Sequence, residues 1–127
     1  MADLIEYSGP LDSGLKHEDF SKGLLLKALK AYGHCIRVLD GTWYLAVERK
    51  LGDDLAFDCD RLVWDRMEVH DVEITRQLFD IKGDDVPALL KCLQMSPWTW
   101  SLECRVHLQE PSRGIWTVSH CPTLLAL

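Results

Sequence analysis

The feature that most constrains the fold is a strict alternation of apolar and polar residues near the end of the chain. From Trp98 to Gln109 every second residue is apolar. A period of two over this length indicates a half-buried antiparallel strand. A turn and a second strand follow, as far as Cys121 and Pro122. We therefore expect a β-hairpin over residues 98–121 whose apolar face packs on the rest of the domain.

The two faces of this hairpin restrict its register. Pairing Gln109 with Ile115 leaves residues 110–114 as the loop and places Cys104 opposite His120. A register shifted by two residues keeps the same faces and changes every partner, so the sequence leaves that alternative open.

The residues before Ser96 carry a longer period, which is typical of helices. Apolar residues recur every three or four positions from Glu18 onward and predict a long first helix, continuous or kinked at Gly41. Capping residues predict a second helix over residues 53–80 and a third over residues 87–94. The positions expected to form the buried sides of the first two helices are Leu25, Leu29, Tyr32, Ile36, Leu39, Trp43, Ala46, Val63, Met67, His70, Ile74 and Leu78.

These elements predict an α+β fold with about three N-terminal helices, an antiparallel β-hairpin and the start of a C-terminal helix. At 127 residues the chain is expected to form one domain, with an extended arm over residues 1–16, a helical part over 17–94 and the hairpin over 98–121. The apolar segment after Pro122 has no polar face and no stop signal. Either the chain is the front part of a longer domain, or this end docks on a partner.

Composition excludes several classes of function. The formal charge is −6 and no basic cluster occurs, so we expect neither nucleic acid nor an anionic membrane as a partner. The start of the chain is not a signal peptide, and we expect a cytoplasmic protein.

Five widely spaced cysteines without a Cys-x-x-Cys motif argue against disulfides and zinc, and we expect neither a metal nor a cofactor. The uncovered apolar end and the two-stranded sheet predict a homodimer.

Cys121 is the first candidate for chemistry. It directly precedes a helix opened by Pro122, and the helix amides together with Arg105 on the neighbouring strand would stabilise a thiolate. The alternative is a small buried residue at a strand-to-helix corner. Likewise, Cys104 and His120 are either half of a metal site, a thiol with its base, or a core cysteine beside an edge histidine.

Acidic residues are concentrated around the junction of the first two helices. Most of them are expected to form a solvated face, but one carboxylate inside a pocket lined by tryptophan would be a general acid–base candidate. The candidate catalytic residues are Cys121, Asp40 and Glu48, and the candidate ligand-binding residues are Trp43, Trp64, Arg105 and His120.

Several segments together resemble a family of uncharacterised bacterial and archaeal cytosolic proteins related to the aminothiazoline-carboxylate hydrolases. The resemblance rests on residues 18–22, 39–48, 63–64, 83–86, 114–118 and 121–124. It implies an α+β domain in which further strands and a cysteine-containing segment follow Cys121 and Pro122.

Two functions therefore stay open. The first is a protein of unknown function that binds a small molecule or forms oligomers, and the second is a hydrolase-like enzyme acting on a small heterocyclic or carboxylated substrate. The sequence favours the binding or oligomerising domain, because none of its motifs demands catalysis.

Overall fold

The computed structural model describes residues 3–121. Its three helices are α1 (Lys22–Leu51), α2 (Asp53–Phe79) and α3 (Val86–Met95), and its two strands are β1 (Glu103–Glu110) and β2 (Arg113–His120). Two short 3-10 helices cover His17–Asp19 and Pro97–Ser101. The predicted α+β class and the order of three helices and an antiparallel hairpin are confirmed, while the expected C-terminal helix lies outside the described residues.

Helices α1 and α2 form a long helical hairpin. The Ser21 side chain caps α1, which continues through Gly41 as one helix. Gly52 ends it with a φ of +90°, a conformation that glycine adopts readily, and α2 begins at the next residue. Across this junction the Tyr44 hydroxyl donates a 2.7 Å hydrogen bond to Asp53, which raises the pKa of Tyr44 to about 12.

The residues before α1 form no regular helix or strand between positions 3 and 16. Leu4 nevertheless pairs with Phe20 in an isolated parallel bridge. The Leu4 amide donates to the Asp19 carbonyl, and the Ser21 amide donates to the Leu4 carbonyl, each at 2.8 Å. The arm is therefore fixed to the segment that leads into α1.

The buried core is small and lies around α3. Asp85 caps this helix, which packs against both strands and against α2. Its residues Ala88 and Cys92 form a buried cluster with Ile81, and Leu90 is buried against the hairpin at Gly114. The core therefore packs against one end of the helical hairpin. The rest of α1 and α2 packs mainly on each other and on the 3-10 helix Pro97–Ser101.

The prediction of which residues the first two helices bury is mostly wrong. Leu39 and Leu78 are 69% and 70% exposed, and His70 is also exposed. The residues of α1 and α2 that are buried are small ones, Gly33, Ala56 and Thr75. The apolar positions instead leave an exposed strip on each helix. We call the two strips together the seam face: Leu29, Tyr32, Ile36, Leu39, Val63, Ile74 and Leu78.

The strand predicted to begin at Trp98 begins only at Glu103. Residues 97–101, here called the tryptophan turn, form a 3-10 helix because Pro97 occupies its first position and the Ser96 hydroxyl accepts from the Trp98 amide. The indole N–H of Trp100 donates to the Met95 carbonyl at 3.1 Å. These local hydrogen bonds override the period-two pattern at the start of the hairpin.

The preferred hairpin register is also wrong, and the register shifted by two residues is the one observed. Cys104 lies opposite Val118 instead of His120, and Val106 lies opposite Trp116. The reason is the turn, since Glu110 pairs with Arg113 and an irregularity between Leu108 and Glu110 absorbs the extra residue. The expected apolar face is incompletely covered, because Leu108, Trp116 and Val118 stay more than a third exposed.

Candidate ligand site

Three tryptophans from three different elements meet in one cavity of about 390 Å³, the tryptophan cavity. Trp43 comes from α1, Trp64 from α2 and Trp98 from the tryptophan turn. The ring centres of Trp64 and Trp98 lie 4.5 Å apart at an interplanar angle of 54°. The full lining is Ile36, Leu39, Asp40, Trp43, Val63, Trp64, Met67 and Trp98.

Trp98 reaches this cavity because the tryptophan turn is fixed on α1 at two neighbouring points. Arg37 donates one hydrogen bond to the Trp98 carbonyl, at 2.9 Å, and another to the Ser101 hydroxyl. One helical turn earlier, Gly33 is buried against Ser101 and Pro97, where a side chain would collide. The missing side chain at Gly33 and the two donors of Arg37 together determine where the Trp98 indole lies.

The tryptophan turn is also tied to α2. The Ser96 hydroxyl, which caps the turn, donates a 2.6 Å hydrogen bond to Asp71. Ser96 is buried, so this hydroxyl connects the start of the turn to the second wall of the cavity. The turn is therefore held by both helices whose side chains form the rest of the lining.

Asp40 is the one charged residue in the lining. Burial raises the pKa of its carboxyl group, and the negative charge of Asp60 raises it further. Within residues 3–121 this carboxylate makes no hydrogen bond and no ion pair. An ionised group that is half-buried and lacks a partner is unfavourable in the folded chain and favours the approach of a positive charge.

The structure brings three of the predicted site residues together and leaves four outside the tryptophan cavity. Asp40, Trp43 and Trp64 share the lining, as expected for an acidic residue in a pocket lined by tryptophan. Glu48 lies two turns further along α1 and is not part of the lining. The other three candidates are on the hairpin or at its end and also lie outside the lining: Cys121, Arg105 and His120.

The observed register changes the cross-strand partners of the candidate residues on the hairpin. His120 lies opposite Glu103, and Arg105 lies opposite Thr117. The proposed pairing of Cys104 with His120 is therefore not formed. Among residues 3–121, no group of three or more His, Cys, Asp or Glu side chains is placed to hold a metal ion.

Sequence reasoning missed Trp98, Arg37 and Gly33 as parts of the site. A signal for Trp98 existed, because serine followed by proline is a helix start as well as a strand start. For Arg37 and Gly33 the sequence offers no signal, since their partners lie more than sixty residues away along the chain.

The fold and the cavity define a small α+β domain with a long helical hairpin and a cavity lined by tryptophan between its helices. The chain belongs to DUF6125, a family of unknown function whose model matches residues 18–126. No curated protein and no solved structure matches the chain significantly. The family match carries no link to the aminothiazoline-carboxylate hydrolases, so that relationship stays a prediction. None of the helices in the described part of the chain is both long enough and apolar enough to cross a membrane.

Proposed function

We propose that this protein is a self-associating domain in which two copies pair through the seam face. The observation that carries the proposal is the amount of surface left uncovered. The accessible surface is 10266 Å², whereas a compact monomer of 14.5 kDa exposes about 6900 Å². A standard protein interface buries about 800 Å² on each partner. The excess surface is several times that area.

The seam face has the composition of an interface. Ile36, Leu39 and Val63 line the same cavity, so the strips of α1 and α2 flank one opening. Spacings of three and four residues place the other members on the same sides of their helices. On α1 the members of this strip are uncharged, and Asp40, at the helical spacing from Ile36 and Trp43, is the charged residue beside them. An exposed apolar strip of this length is unfavourable in water and favourable against a matching strip.

The second copy is the partner that this geometry favours. A two-fold axis would place each helical hairpin against the other and form a four-helix bundle, in which apolar strips with this spacing pack together. The tryptophan cavity would then lie in the bundle core, where ligand sites between helices are commonly found.

The strength of pairing can be tested at Leu39. Burying one leucine side chain contributes about 2 kcal/mol to the free energy of association. Each residue occurs twice in a two-fold interface, so both copies of Leu39 contribute. Leu39→Glu should therefore raise the dimer dissociation constant by roughly a thousandfold or more. Leu45→Glu is the matched control, because Leu45 is also exposed and lies outside the seam face, about 120° around the same helix from Leu39.

Sedimentation velocity over a range of concentrations measures the outcome, with circular dichroism to verify that both variants are folded. We expect a dimer for the unmodified protein and for Leu45→Glu, and a folded monomer for Leu39→Glu. A monomeric unmodified protein at the highest attainable concentration, or equal dissociation by both variants, would contradict the proposal.

The hydrolase alternative is less well supported by this geometry. The described residues that line the tryptophan cavity include no cysteine, serine, threonine or histidine, so no side-chain nucleophile accompanies Asp40 there. Cys121, the expected nucleophile, directly follows β2 and is not among the lining residues. Binding is the activity that these lining residues favour.

A further inference from the structure

The tryptophan cavity combines two features that self-association leaves unexplained. An interface core is depleted of charge, yet Asp40 places a carboxylate among the apolar residues of the lining. The three indoles, moreover, come from three separate elements, and Arg37 and Ser96 use hydrogen bonds to hold one of those elements in place. The cavity therefore combines the half-buried carboxylate of Asp40 with three indole rings.

This pairing of groups has a characteristic ligand chemistry. The face of an indole carries negative electrostatic potential and attracts cations, most strongly where water is excluded. Trp64 and Trp98 meet at 54°, so their rings form a corner rather than a flat stack. A carboxylate in the same lining, as Asp40 provides, would balance the charge of a bound cation.

Among residues 3–121, no cationic side chain lines the cavity. Arg37, one turn before Asp40, directs its guanidinium to the Trp98 carbonyl and the Ser101 hydroxyl. Neither of the two salt bridges found within residues 3–121 involves Asp40. Within the described residues no cation balances this carboxylate, so a positively charged ligand would find it free to pair.

The apolar lining also discriminates between kinds of cation. A metal ion requires several oxygen, nitrogen or sulfur ligands, and the lining offers one carboxylate. A primary ammonium is strongly hydrated and would lose that hydration in the cavity. Alkyl groups on the nitrogen reduce the hydration of the cation and provide apolar surface that packs against the indole rings. A volume of about 390 Å³ is also within the usual range for small-molecule sites.

We propose that the tryptophan cavity binds a small alkylated ammonium ion, with the charged head against the indoles of Trp43, Trp64 and Trp98 and facing the Asp40 carboxylate. All of these groups belong to one chain, so the inference holds for a monomer and for a dimer.

Choline and 3,3-dimethylbutan-1-ol test the role of the charge, because they have the same shape and differ in the central atom. Isothermal titration calorimetry measures affinity, and the indole N–H signals in NMR spectra report the location. We expect choline to shift the signals of Trp43, Trp64 and Trp98 and to bind roughly tenfold or more tightly than the neutral alcohol. Equal affinity for the two compounds would overturn the proposal.

Two substitutions test the role of Asp40. Asp40→Asn should weaken choline binding about tenfold and leave binding of the neutral alcohol unchanged. Asp65→Asn is the matched control, because Asp65 is an exposed carboxylate on α2 outside the lining. Equal losses from the two substitutions would show a general effect of net charge and would contradict a specific site.

A peptide that contains trimethyllysine carries the same charged head on a protein chain. Tighter binding of choline than of this peptide supports the assignment to a small molecule, and tighter binding of the peptide overturns it. Sedimentation of the same samples reports the oligomeric state separately, so a failure of self-association and a failure of ligand binding are distinguishable.

Discussion

Gly33 and Gly41 lie in the same helix and should respond in opposite directions to the same substitution. Replacing glycine by alanine inside a helix contributes about 1 kcal/mol of stability when the new methyl group has room. A Cβ atom at Gly41 would have no neighbour within 4 Å. At Gly33 it would lie 2.9 Å from the Ser101 hydroxyl oxygen and 3.4 Å from the Pro97 carbonyl oxygen.

The collision at Gly33 is difficult to relieve. The Ser101 hydroxyl accepts a hydrogen bond from Arg37, so rotating it away breaks that bond, and the Pro97 carbonyl belongs to the backbone. Overpacking of this kind costs about 1–3 kcal/mol, which exceeds the helix-propensity gain. We therefore expect Gly41→Ala to stabilise the protein by up to about 1 kcal/mol and Gly33→Ala to destabilise it by about 1 kcal/mol.

Urea denaturation measures this difference, with melting temperatures at equal protein concentration as a second readout. For a chain of this size, 2 kcal/mol corresponds to roughly 8 °C between the two variants. Trp98 fluorescence should change in Gly33→Ala alone, because the tryptophan turn must move. Adding Ser101→Ala removes the colliding oxygen and should recover part of the loss. If Gly33→Ala is as stable as Gly41→Ala, the close approach of the tryptophan turn to α1 is refuted.

Three further substitutions test other parts of the structure. Gly114→Ala would place a Cβ 2.7 Å from a methyl carbon of Leu90, so it should destabilise the protein by about 1–3 kcal/mol in urea denaturation, and Leu90→Ala in the same chain should lessen the clash. Ser96→Ala removes the cap of the tryptophan turn and should cost about 1 kcal/mol with a shift in Trp98 emission; an unchanged spectrum would argue against this anchor. The pKa of Asp40 is raised above its usual 3.8, so the folded state keeps this proton to a higher pH and the ionised group lowers stability at neutral pH. Asp40→Asn should thus be more stable than the unmodified protein at neutral pH, with the advantage shrinking as the pH falls through the pKa of Asp40 toward 3.8, and a difference independent of pH would contradict this.

Part of the candidate site was predictable because it lies on regular helices. The spacing of Asp40 and Trp43 along α1 places both on one side of that helix, and Trp64 belongs to the helix that folds back against it. At Trp98 the alternation predicts a strand, and this prediction is wrong because the cap and Pro97 produce a 3-10 helix there. The sequence thus identified the two helical walls of the cavity and missed the third.

The sequence by itself determined the order of the three helices and the hairpin. Helix starts depend on caps such as Asp85, and the end of α1 depends on Gly52, so these signals act within one turn of the chain. The change of apolar period after α3 separated helices from hairpin for the same local reason.

Only the tertiary structure decided the hairpin register, the exposed side of each helix and the meeting of the three tryptophans. A register shift of two residues leaves every side chain on the same face, so the apolar pattern cannot distinguish the two pairings. An apolar strip likewise has the same sequence whether it faces its own chain or another copy. The seam face is exposed because the contacts that bury α1 and α2 come from small residues and from a turn more than sixty positions away, and no local signal in the chain encodes those contacts.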